Sequence, residues 1–221
     1  MKAPQALPVT DAIGWRPLIR HQRAGDHPWR EFNPGWARIG WRPAALVVEF
    51  VFAGVGAENQ ARRMNERTHL LGDVGEIFLQ WTGSDRYIEI HVTPENRRLQ
   101  ITWSGDRLRA VRQGKASLED FTISDRKWVR SVTKTAPYFW SACVEVPATT
   151  VMTAGREFVR TTALRVAICR YDYTGGGVMP VLSSTASFRG RPFHTRAAWH
   201  RVRLAGTNRS SSSHAGARTG A

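Results

Sequence analysis

The sequence predicts an all-β protein, a single antiparallel β-sandwich, and three observations lead there. Short apolar runs, alternating or continuous, recur along the chain. Turn-forming Gly, Pro, Asn, Asp and Ser residues separate them at the spacing of a sandwich. The chain has 221 residues and is 42% apolar, enough for one substantial core, and sandwiches commonly use about 200 residues for one domain.

Residues 1 to 43 are rich in Pro, Gly, Arg and Trp, with Trp15, Trp29, Trp36 and Trp41 set among breakers. They read as an irregular lead-in lying against the domain. Ala44 to Phe52 is apolar on both faces, as expected of a central buried strand. Gly54 to Leu71 reads as a long polar connection with a helical turn near Glu58 to Arg67. Asp73 to Leu79 and Tyr87 to Thr93, joined through Thr82-Gly83-Ser84-Asp85, predict a hairpin. Period two sets Ile88, Ile90 and Val92 on a packing side and Tyr87, Glu89 and His91 on a side that meets a polar ligand. Leu99 to Trp103 supplies the next strand, followed by strands near Leu108 to Arg112, Phe121 to Ile123, Trp128 to Thr133, Tyr138 to Val146, Ala163 to Tyr171 and Trp199 to Leu204. Thr174 to Gly177 is a flexible loop with no helix pattern or Lys-Ser pair after it, so phosphate binding is not implied. Residues 44 to 204 thus make the sandwich, and 205 to 221, rich in Gly, Ser and Arg, a disordered tail.

No window approaches the roughly 18 uninterrupted apolar residues of a membrane span. Pro4, Pro8, Asp11 and Gly14 interrupt the first twenty residues, so no secretory signal is visible and the sequence points to the cytoplasm. Cys143 and Cys169 sit in strand-like runs, where cysteine usually serves as a small buried hydrophobe; a disulfide requires those strands to face each other. The net charge of +14 is uneven: residues 44 to 96 carry eight acids against four basic residues, and 156 to 203 carry nine Arg against two acids. Such a chain is drawn to polyanions. Yet no basic helix stripe, zinc-finger spacing or RNP-like motif accompanies the charge, so nucleic acid is the weaker expectation.

Five motifs in order resemble the family 9 carbohydrate-binding modules of the wider DOMON-like group. They are Asp73-x-x-Glu76-Ile77-Phe78-Leu79; Tyr87-x-Glu89-x-His91-Val92-Thr93-Pro94; Trp140 with Glu145-Val146-Pro147; Leu164-Arg165-Val166 with Arg170; and Phe193-His194 before a closing strand. The likeness covers about residues 40 to 205. It implies a noncatalytic jelly-roll or immunoglobulin-like sandwich that binds sugars in carbohydrate catabolism, commonly at chain ends, through a polar cluster and stacked tryptophans. It also implies structural calcium and a secreted or periplasmic role. By position Glu76, Arg165, Arg170 and His194 match the family's polar residues. With Glu89, His91 and Trp140 from the same motifs they form the candidate ligand set. Thr68-His69-Leu70-Leu71 stands where the family has a tryptophan, and 175 to 191 contains none. Tyr171 and Tyr173 are the candidates to replace the missing clamp.

A sugar's apolar face calls for an aromatic platform edged by acids, amides or arginines. Glu76, on a strand that also feeds the core, needs a partner if buried, and Arg165 is the candidate for a structural ion pair with it. Haem would draw on Met64, His69, His91, Met179 and His194, but no pair shows ligand spacing. Neither Asp73 nor Asp85 lies in a carboxylate-dense loop of the kind calcium takes. Glu76, Glu89 and Glu145 could supply a glycosidase acid pair only at a separation sequence does not give, and no Gly-x-Ser-x-Gly occurs. The leading expectation is therefore a noncatalytic carbohydrate binder favouring acidic or chain-end glycans, with anionic polysaccharide among its partners. A basic nucleic-acid or polyanion binder and an accessory subunit of a glycan hydrolase are the alternatives.

Overall fold

A computed structural model describes residues 10–21, 32–152, 156–159, 161–174 and 179–204. Twelve strands among them form two antiparallel sheets. The first contains β1 (Thr10–Pro17), β3 (Gly35–Arg42), β4 (Ala45–Ala53), β8 (Arg130–Ala136) and β9 (Phe139–Pro147), in the order β1-β3-β4-β9-β8. The second contains β2 (Ile19–His21), β5 (Val74–Trp81), β6 (Tyr87–Val92), β7 (Arg98–Trp103), β10 (Ala163–Asp172) and β11 (Val181–Ser184), in the order β2-β11-β10-β5-β6-β7. A further strand, β12 (His200–Arg203), pairs with the first half of β10. No helix of the described residues is long and apolar enough to cross a membrane.

The expected hairpin is present, with Glu76 opposite His91 and Phe78 opposite Glu89. The lead-in is corrected: Thr10–Pro17, Ile19–His21 and Gly35–Arg42 are strands, and β3 lies between β1 and β4. Breakers hid them, but Gly35 to Ile39 alternates buried with more exposed positions, and Gly35 to Arg42 pairs with Ala45 to Phe52. A second correction concerns residues 105 to 112, which form a helix, α1 (Gly105–Arg112). Ser104 caps it by accepting the Arg107 backbone N–H, and Asp106 sits in the first turn, so local capping overrides the apolar alternation. Phe121 ends a short 3-10 turn, with only an isolated bridge from Thr122 to Ile101. The helical turn expected near 58 to 67 occurs instead as a 3-10 turn at Thr68–Leu70. The glycines from 175 to 177 and the tail from 205 lie outside the described residues.

The sandwich core lies between the sheets, with Phe50, Phe52, Ile77, Ile90, Val144 and Ile168 at its centre. Gly75 is required there, because a Cβ would stand 2.5 Å from Phe50 Cζ. Trp140 is fully buried and meets Phe50 and Phe52 edge-on at 5.3 Å each. Arg170 also points inward. Its guanidinium donates to the carbonyls of Ala53 at 2.7 Å and Asn33 at 3.2 Å, pairs with Asp172 at 3.1 Å, and lies over the Phe52 ring. Burial holds its pKa below the ordinary arginine value.

A second apolar cluster coats the far side of the second sheet: Phe78, Tyr87, Leu99, Ile101, Trp103 and Trp199 are among its members. This overturns the expectation that Tyr87, Glu89 and His91 face a ligand directly, since every residue of β6 is buried. Alternation in β6 separates two buried layers rather than core from solvent.

Candidate functional site

The outward positions of the second sheet are Glu76, Phe78 and Gln80 on β5, Tyr87, Glu89 and His91 on β6, and Arg165, Ala167, Cys169 and Tyr171 on β10. Strand period fixes this, and the register sets them side by side: Cys169 opposes Glu76, and Arg165 opposes Gln80. One end of this face is covered and the other is open.

At the covered end His91 is the hub. Its Nδ1 lies 2.8 Å from Thr68 Oγ1, and its Nε2 lies 2.7 Å from Glu89 Oε1 and 3.1 Å from Glu76 Oε1. Glu89 continues the chain by accepting the Trp103 indole N–H at 2.5 Å, and its Oε2 lies 3.7 Å from His194 Nε2. His194 in turn pairs with the Tyr87 hydroxyl at 2.9 Å. The 3-10 turn carrying Thr68 and His69 is tied down from two sides. Asn59 donates to the Thr68 carbonyl at 2.8 Å, and the Tyr173 hydroxyl donates to the His69 carbonyl at 2.8 Å.

These contacts set the charge states. Burial works against the His91 cation, but Glu76 and then Glu89 raise its pKa above the ordinary histidine value. For Glu89 burial also penalises charge, and His194, His91 and the Trp103 donor outweigh it, bringing the pKa down to about 2. His69 is pushed down to about 4, first by burial and then by the neighbouring His91. Burial, with Glu89 nearby, raises Tyr87.

The open end is a groove of about 590 Å³ lined by Gln80, Thr82, Ser84, Arg165, Thr195 and Arg196, with Asp85 as its single acid. That volume falls in the range of small-ligand sites. Arg196 is held in place by donating to the Asp85 carbonyl at 3.0 Å and lying over the Tyr87 ring. Arg165 donates weakly to the Arg196 carbonyl at 3.4 Å. Gln80 is oriented by its bond to the Ser84 carbonyl at 2.8 Å.

The structure therefore brings together five of the sequence-derived candidates, Glu76, Glu89, His91, His194 and Tyr171, around the covered end. Tyr171 joins through ring contacts with His69 and Phe193. Arg165 stands at the open end, four residues along β10 from the position opposite Glu76, about 13 Å away on a strand. The expected Glu76 and Arg165 pair is accordingly replaced by Glu76 with His91. Trp140 and Arg170 belong to the sandwich interior, on the other side of the sheet. Sequence reasoning missed Gln80, Thr195 and Arg196; the arginine-rich stretch from 156 to 203 was the only signal for the last. Tyr173 anchors the 3-10 turn through its hydroxyl.

Calcium, implied by the family resemblance, does not fit the side-chain cluster at the covered end. Among the described residues the group able to surround an ion is His69, Glu76 and His91, two imidazoles and one carboxylate. Calcium takes six to eight oxygens. Asp73 instead spends its carboxylate accepting backbone N–H groups from Glu58 and Tyr173.

The two-layer antiparallel architecture is that of a β-sandwich. More narrowly, it is the fold of family 9 carbohydrate-binding modules. A candidate carbohydrate-binding protein from Bacteroides uniformis matches with a TM-score of 0.67 at 16% identity, over 86% of this chain and 85% of that one. A family 9 module from Caldicellulosiruptor kristjanssonii, in complex with cellotriose, matches with a TM-score of 0.61 at 12% identity, over 93% of each chain. The same kind of module bound to glucose gives 0.61 at 12% identity, over 94% and 96%. At such identities the likeness is one of fold. No family model matches the sequence. No curated protein matches it either.

Proposed function

We propose that the protein is a noncatalytic carbohydrate-binding sandwich whose ligand is an acidic glycan held in the Arg165 and Arg196 groove. The observation that carries this reading is the groove's composition: two guanidinium groups, an amide and three hydroxyls against one carboxylate. Guanidinium groups recognise carboxylate or sulfate bidentately, and hydroxyl and amide groups suit sugar hydroxyls. Solved sandwiches of this fold hold cellotriose and glucose, which supports a saccharide as the ligand class. No aromatic side chain lines the groove, so recognition rests on polar contacts rather than on ring stacking.

Calorimetric titration of the chain with uronic-acid oligomers and with neutral oligomers of equal length tests the proposal. Acidic oligomers should bind at least tenfold more tightly, and R165A should abolish the difference. Equal affinity for both, or silence across both, would overturn it. A polyanion binder without sugar preference would instead take nucleic acid equally well and lose affinity steeply with salt.

A further inference from the structure

We propose that His69, Glu76 and His91 form a binding site for a divalent transition-metal ion, with zinc the best match to the donors. This site is separate from the Arg165 groove and does not rest on the sugar reading.

Two features of the covered end converge on it. The first is the crowding of acids on one nitrogen. Glu76 Oε1 and Glu89 Oε1 both stand within hydrogen-bond distance of His91 Nε2, at 3.1 and 2.7 Å. The one Nε2–H is shared between two buried carboxylates, so a divalent ion at that position would neutralise more of their charge than the proton does. The second is an orphan. His69 Nδ1 is shielded from solvent and has no hydrogen-bond partner among the described residues. A buried ring nitrogen left unpaired is costly, and the two imidazoles already meet at 5.6 Å between ring centres.

One donor atom from each of His69, Glu76 and His91 lies within 4.8 Å of the other two. Donors bound to zinc at about 2.0–2.1 Å stand roughly 3.3 Å apart at tetrahedral angles, so small side-chain rotations close the site. Two imidazoles and a carboxylate are a zinc donor set and a poor one for calcium or magnesium. The surroundings supply the outer support that metal-bound histidines take. Thr68 Oγ1 lies 2.8 Å from His91 Nδ1, and by accepting a proton from Nδ1 it would leave Nε2 for the ion. Binding releases the Nε2 proton to solvent and puts the cation where that proton was shared.

The test uses the tag-free full chain, stripped with a chelator and titrated with Co2+, whose visible d–d absorption reports coordination. One equivalent of Co2+ should develop that absorption and be displaced by Zn2+, with a rise in thermal midpoint. H69Q changes the most exposed of the three ligands, and E76Q removes the charge while keeping the shape; each should lower affinity at least tenfold. Circular dichroism confirms that both variants fold. R165A should bind metal as the parent does, which separates this site from the groove. Absence of Co2+ binding to the parent chain, or binding that persists unchanged in both ligand variants, would overturn the proposal.

Discussion

Glu76 and Gln80 lie four residues apart on one strand and face the same side of one sheet, and both are largely buried, yet the first belongs to a closed network and the second lines an open groove. Cys169 and Arg165, their neighbours across β10, divide the same way: the cysteine is fully buried, while the arginine lines the groove. Strand register therefore does not decide which end meets solvent. The cover does. At the Glu76 end the connection from 58 to 71 is pinned through Asn59 and Tyr173, closing over the sheet. At the Gln80 end the hairpin turn and the 3-10 turn at Arg196–Ala198 meet only through the Arg196 side chain on the Asp85 carbonyl, and a cleft stays open beside them.

The sharpest way to break this contrast is E89A. It strips His91 and the Trp103 indole of their shared acceptor, and removing one partner of a buried pair costs about 3–5 kcal/mol. Urea unfolding should show a loss of that size, and a change below about 1 kcal/mol would mean the covered end is loosely held. Next in size is a pH effect at the margin of the same end. Burial and then Asp172 raise the Asp73 pKa from 3.8 to about 6. The native state thus keeps a proton that the unfolded chain has given up between these values. Its contribution is full below the lower value and disappears as pH rises through the upper one. The stability of the parent chain relative to D73N should therefore improve by about 1–3 kcal/mol between about pH 7.5 and 4. A difference independent of pH would show that Asp73 ionises as in the unfolded chain.

Smaller effects belong to the surface. Arg67 forms a two-point fork with Glu119, at 2.8 and 3.0 Å, between half-exposed side chains. Solvent screens it, so E119Q should cost no more than about 1 kcal/mol, with the loss shrinking as salt is added. Smallest of all is the expected stability change in R165A, within about 0.5 kcal/mol, because the groove contributes little to the fold. A larger loss would make Arg165 a structural residue and weaken its assignment to ligand.

Much of this architecture was legible in the sequence because period two survives wherever a strand separates two chemically different layers. The hairpin of β5 and β6 follows from that pattern, while β4 shows as a continuous apolar run. What the pattern could not supply was the nature of the outer layer. Tyr87, Glu89 and His91 look like a wet polar face, and only the cover contributed by distant residues such as Thr68, His194 and Trp199 makes them interior. Partners across strands were equally out of reach. Glu76 and Arg165 are plausible mates by charge, and a register that puts Cys169 opposite Glu76 separates them. His69 and His91 show no ligand spacing along the chain, and the fold brings their rings together. Residues 105 to 112 misled for a local reason, since the Ser104 cap favours a helix where apolar spacing suggested a strand.

Arg170 adds a polar rivet between two plates that already share an apolar core. Its guanidinium grips the Ala53 carbonyl at the end of β4 and the Asn33 carbonyl just ahead of β3, while its backbone belongs to β10 of the opposite sheet. Sliding one plate past the other along the strand direction must tear this rivet first. Under mechanical load the sandwich should therefore resist shear most at the end where Arg170 stands, and R170M should lower the force needed to pull the layers apart.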